Sequence, residues 1–128
     1  MVVLALLALA QAAVGDPGQA TYHGQCFYPP ILGDPRPGEV RILCDQVATD
    51  ETGVEFVDST WDVRMVRFAG YWEGNILAVR SVTSRTGATV EARGACRIDR
   101  ANGKVSVIAC TAVTHGRSWI GNFRVSKI

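Results

Sequence analysis

Apolar and polar positions alternate along much of the second half of the chain. From 88 to 99 the even positions are Ala88, Val90, Ala92, Gly94, Cys96 and Ile98, and the odd ones are Thr89, Glu91, Arg93, Ala95, Arg97 and Asp99. A period of two belongs to a strand with one buried face, so this segment predicts such a strand with Cys96 turned inward. Its hairpin partner, 104–113, is apolar on both faces, with Val105, Val107 and Ala109 against Ile108 and Cys110. That pattern suits a central strand. Further strands are predicted at 39–45, with Val40, Ile42 and Cys44 on one face, at 54–57, and at 61–69, with Trp61, Val63 and Met65 on one face. Two more fall at 75–83 and 118–126, where Trp119, Gly121, Phe123 and Val125 read as core. Polar or glycine-bearing connectors separate them, and no window sustains a helical apolar period. Short strands at this spacing predict an all-β fold, a small meander-rich antiparallel barrel or sandwich.

Two segments depart from this pattern. Residues 2–10, VVLALLALA, contain no polar group and are too few to span a bilayer, but they fit the apolar region of a secretory signal. Small residues at Ala8 and Ala10 predict cleavage after Ala10, and those at Ala10 and Ala12 predict cleavage after Ala12. Residues 15–38 hold all five prolines and five glycines, so no regular element is expected to persist there. The expected organisation is a signal peptide at 1–10, a Pro/Gly-rich segment at 11–38 and an antiparallel β domain at 39–128. A chain of 128 residues has room for one core.

Cysteine usage agrees with export to a secreted or periplasmic location. Four cysteines in a short chain with a secretory signal favour two disulfides, and of three connectivities local geometry favours Cys26–Cys44 and Cys96–Cys110. No CxxC motif supports a redox centre. His23 stands three residues from Cys26, but no second ligand pair accompanies it, so no metal and no cofactor is expected. The second bridge sets a condition on its hairpin. A two-residue Asn102-Gly103 turn would oppose Cys96 to Ala109, with Cys110 facing the other way. The bridge therefore needs a three-residue loop over 102–104 or one bulged residue on either strand. In that register Ile98 faces Ile108 beside the cystine.

The first bridge would close a loop of about 18 residues, which restricts the unfolded chain by about 3 kcal/mol. Pro29, Pro30, Pro35 and Pro37 stiffen it further. A stiff closed loop loses little entropy on docking, which is what a recognition or inhibitory loop requires. Charge is unevenly divided: residues 16–62 hold nine acidic side chains and two arginines, residues 63–128 eleven basic and three acidic. The basic half, with Arg93 and Arg97 on one strand face, offers guanidinium groups to an acidic or glycan partner, while export disfavours nucleic acid. Tyr71 and Trp72, in the Gly70–Gly74 loop signal, point opposite ways on an extended chain, leaving one ring free to bind a sugar or apolar partner.

Catalytic motifs such as GxSxG, HExxH or a P-loop are absent, and no catalytic residue is assigned. The expected function is binding of a protein or glycan partner through Tyr71, Trp72, Arg93 and Arg97. Inhibition of an exported hydrolase by the loop carrying Pro29 and Pro30 is the alternative, and a small hydrolase using His115 is a further one. No stable membrane insertion is expected after signal cleavage.

Overall fold

A computed structural model describes residues 17–126. The expected signal peptide at 1–10 lies outside them. In chain order the strands are β1 (Ala20–Cys26), β2 (Glu39–Arg41), β3 (Gln46–Thr49), β4 (Gly53–Asp58), β5 (Val63–Glu73), β6 (Ile76–Ser84), β7 (Thr89–Ala101), β8 (Lys104–Thr114) and β9 (Arg117–Val125). One 3-10 turn, Pro30–Leu32, lies between β1 and β2. β1 and β3 to β9 form a closed antiparallel barrel in the order β1-β3-β4-β5-β6-β7-β8-β9, with β9 pairing back onto β1. The fold is thus a barrel rather than a sandwich. β2 runs parallel to the first half of β9, while the tip of β1 pairs antiparallel with its second half.

The β7–β8 hairpin meets its register condition through a bulge. Cys96 faces Cys110 and Ile98 faces Ile108, whereas nearer the turn Arg100 faces Val105 and Ala101 faces Lys104. Ser106 is the extra residue, and its hydroxyl donates to the Asp99 carbonyl at 3.2 Å. The two-residue turn is kept, because Asn102 and Gly103 both take the positive φ, 53° and 78°, that matches strand twist. One inserted residue then restores the phase that puts both cysteines inside. The Cys96–Cys110 and Cys26–Cys44 disulfides both form.

The core comes from the inward face of every barrel strand. Phe56, Phe68, Phe123, Leu77, Ile98 and Ile108 are wholly buried or nearly so, and Phe56 meets Phe68 edge-on with ring centroids 5.7 Å apart. Gly121 makes room for this cluster: a Cβ there would lie 2.5 Å from Cζ of Phe56. Trp119, Gly121 and Phe123 are buried and Val125 packs against the core, as the alternation of the last strand predicts.

Three expectations about elements are corrected. Residues 15–38 do hold a regular element, the seven-residue β1, and the barrel begins at Ala20 rather than at 39. Between Pro17 and Pro29 the chain is free of proline, and Tyr22, Gly24 and Cys26 alternate inward against exposed Thr21, His23 and Gln25. The strand expected at 39–45 pairs only over 39–41, where Val40 is exposed. Beyond Ile42 the chain leaves β9 and passes to the other edge of β1, where Cys26 N–H donates to the Cys44 carbonyl at 2.9 Å. In β5 the pairing with β4 steps by one residue at Met65, so the fully buried residues are Val66 and Phe68. Of the expected Trp61, Val63, Met65 face, Met65 packs half-buried against the core, Val63 is half-buried and Trp61 is exposed. A bulge reverses the phase of alternation, and Trp61 falls in the preceding turn, 76% exposed.

Candidate functional site

Because phenylalanine and aliphatic side chains fill the barrel, recognition has to use its ends or its outer wall. The strand directions place the 50–52, 74–75 and 102–103 connections at one end. The 27–38 loop, the 59–62 turn and the 85–88 and 115–116 connections lie at the other.

The first end is closed by a polar clasp. Arg67 on β5 donates two bonds to the Asp50 carboxylate, at 2.9 and 3.0 Å, and a third to the Thr52 hydroxyl at 2.8 Å. The Trp72 indole N–H donates to the Asp50 carbonyl at 2.9 Å, and Gly70 N–H donates to the Thr52 carbonyl at 2.8 Å. The Arg67 guanidinium holds the Asp50 carboxyl down at about 2. This end spends its polar groups on itself.

The second end is built from the loop closed by Cys26–Cys44. Tyr28 anchors it from below: its hydroxyl oxygen lies 2.6 Å from the Ile42 carbonyl and 2.9 Å from the Ile120 carbonyl, and burial pushes its pKa up. Above, Arg41 donates to the Gly33 carbonyl at 2.7 Å and approaches Glu39 at 3.6 Å, while the Glu39 carboxylate accepts Arg36 N–H at 2.8 Å. At the tip, Leu32 N–H and Gly33 N–H donate to the Pro29 and Pro30 carbonyls, closing the single 3-10 turn. Ile31, inside that turn, is 92% exposed, and Leu32 and Leu43 are 53% and 69% exposed. Ser59 ties the turn that carries Trp61 to this end, its N–H and hydroxyl donating to the Asp45 carboxylate at 2.8 and 2.6 Å. Those bonds hold the Asp45 pKa below its ordinary value. Apolar side chains thus face water at this end on a hydrogen-bonded support.

The residues expected to bind fall in three places. Pro29 and Pro30 begin the loop tip. Tyr71, Arg93 and Arg97 lie on the outer wall: Tyr71 faces Ala78 across β5–β6, and its ring stacks with Arg80, which also donates to its hydroxyl. Arg93 pairs with Glu91 at 3.2 Å, and Arg97 pairs through two bonds with Asp99, at 2.9 and 3.2 Å. Trp72 goes elsewhere, packed on the core with its N–H in the clasp. His115 stands exposed on the β8–β9 turn, with no hydrogen bond or ion pair to any described residue. Cys26 is in a disulfide and offers no thiolate beside His23.

Sequence reasoning missed Ile31, Leu32, Leu43, Tyr28 and the Asp50–Arg67 clasp. Ile31 and Leu32 fall in the Pro/Gly-rich stretch, where two large adjacent aliphatics are a signal of their own, and Leu43 falls in the strand expected at 39–45, on the face opposite Ile42 and Cys44. No family model, curated protein or solved structure matches the chain.

Proposed function

We propose that this protein is an exported, non-catalytic β-barrel domain that captures a protein partner on the end bearing the 26–44 loop. The observation that carries this reading is Ile31, a β-branched side chain 92% exposed at the tip of a covalently closed, internally bonded loop. A bare aliphatic on such a support adds nothing to folding, whereas seating it in an apolar pocket costs little chain entropy. Leu32, next to it in the same turn, is exposed as well, and Leu43 and Trp61 are further exposed apolar side chains at this end of the barrel. Two disulfides fit an oxidising compartment, and the apolar 2–10 segment supports export by a cleaved signal.

The tip also bears on how a partner is engaged. Leu32 and Gly33 spend their N–H groups within the turn, and Pro29 and Pro30 have none, so the tip cannot add as a strand to a partner's sheet. It acts as a knob. An exported hydrolase would be inhibited by a plug in an apolar cleft rather than by mimicry of an extended substrate. Glycan binding at Tyr71-Trp72 has less support, because only Tyr71 faces outward.

The test is affinity capture from the exported fraction of the native source, comparing the wild type with Ile31→Asp and with the wall variant Arg93→Gln/Arg97→Gln. A partner retained by the wild type and the wall variant and lost with Ile31→Asp supports the loop end. Capture unchanged by Ile31→Asp rules it out.

A further inference from the structure

The charged side chains are sorted by barrel wall. Residues 17–62 contain eight acidic and two basic side chains, and residues 76–126 contain eight basic and two acidic. In the closed strand order, β3 and β4 lie across the barrel from β7 and β8. A chain of formal net charge +1 therefore carries a charge dipole across its width. Two ion pairs, Arg64–Glu55 and Arg67–Asp50, join the halves where β5 meets the acidic strands. On the basic side Arg80, Arg85, Arg100, Lys104, Arg117 and Arg124 form no ion pair among the described residues.

Apolar surface accompanies the positive charge. Ile76, Val113 and Tyr71 are exposed on the outer face of or beside β6–β8, whereas no large apolar side chain of β3 or β4 is exposed. Between the arginines of β7 the floor is low: Ala95 separates Arg93 from Arg97, and Ala78 on β6 and Thr111 on β8 flank it. Two adjoining hollows of about 640 and 580 Å³ share Arg93 and Val113 and run along this wall. Glu91 and Asp99 brace Arg93 and Arg97 and offset part of their charge, but the wall stays positive.

We infer that the β6–β8 wall docks on an anionic lipid surface. The arginines take the headgroup phosphates, and Ile76, Val113 and Tyr71 enter the boundary with the acyl chains. An acidic polysaccharide would satisfy the guanidinium groups but leave the aliphatic side chains in water. A lipid interface takes both, and the long arginine stems allow the charges to stay at headgroup level. Docking through the side of the barrel is peripheral, without insertion, and leaves the loop end free. The inference is independent of partner capture at Ile31.

The test is co-sedimentation of the full chain with vesicles of phosphatidylcholine alone and with about 30% phosphatidylglycerol, at low salt and at about 0.5 M salt, where screening is strong. The apolar 2–10 segment partitions alike into both vesicle types, so the readout is the difference between them. Expected is retention on the anionic vesicles, reversed by salt, falling about tenfold or more in Arg93→Gln/Arg97→Gln and about fivefold in Ile76→Ser/Val113→Ser. Ile31→Ser should bind as the wild type does, and each variant's thermal midpoint confirms that it is folded. Equal retention on both vesicle types overturns the inference. So does anionic binding that ignores Ile76→Ser/Val113→Ser and is matched on heparin-agarose, which would mark a polyanion site.

Discussion

The two ends of the barrel use the same kinds of residue to opposite purposes. At the clasped end Trp72 turns its ring onto the core and its N–H to the Asp50 carbonyl, and Arg67 joins Asp50 to Thr52. At the loop end Trp61 stands in water, and Arg41 bonds a carbonyl of a loop whose tip carries a bare isoleucine. One end invests its polar chemistry in stability. The other invests it in holding apolar side chains outward, so the two ends should answer differently to substitution.

The largest effect is expected at the loop end, from its covalent closure. Cys26→Ser/Cys44→Ser should lower unfolding free energy by about 3 kcal/mol, read from the denaturant midpoint, and should abolish capture by the loop. If the doubly substituted protein still captures its partner fully, the hydrogen bonds of Tyr28 and Arg41 suffice to hold the loop. Under graded reduction with alkylation, Cys26–Cys44 should open before Cys96–Cys110, whose cysteines are 0% and 1% exposed. Simultaneous opening would show that the loop is no more accessible than the wall.

At the clasped end Arg67→Ala should cost about 1 kcal/mol, discounted because the Asp50 carboxyl is partly exposed, and should leave partner capture unchanged. The same pair makes a pH prediction. Asp50 titrates at about 2 in the folded protein against 3.8 ordinarily, so its contribution is complete above the ordinary value and is lost as pH falls through about 2. Acid unfolding followed by fluorescence should show this loss in the wild type, and Asp50→Asn should lack it. Smallest of all, Ile31→Ser should move stability by less than about 0.5 kcal/mol, because its side chain makes no core contact. A larger loss would mean that the tip is part of the fold and not an anchor for a partner.

How far these features were legible depends on the range of the interaction behind them. The alternation of 88–99 is local, and with the Asn-Gly turn it forced the extra residue that Ser106 supplies. β1 was obscured because the prolines flanking it dominate the composition of 15–38, although its own alternation is clear. The Met65 bulge defeated the assignment of the 61–69 face, since one inserted residue inverts every later position. The Asp50–Arg67 clasp has no sequence signature: its partners stand seventeen residues apart and meet only once β3, β4 and β5 pair. The division of charge could be counted along the chain, but opposite walls follow only from strand order.

β1 and β2 lie head to head along one edge of β9, with Cys26 opposite Phe123 and Arg41 opposite Ile120. The intervening residues therefore leave the barrel and re-enter it in a single lane, and the Cys26–Cys44 bond seals the junction behind them. Within 27–38 the barrel strand β9 holds Phe27 and Gly38 by backbone hydrogen bonds and accepts a bond from Tyr28, and among the described residues no barrel strand bonds to 29–37. The segment between them is a cassette: other sequences, longer or shorter, could be spliced between Tyr28 and Gly38 while the scaffold stays as it is.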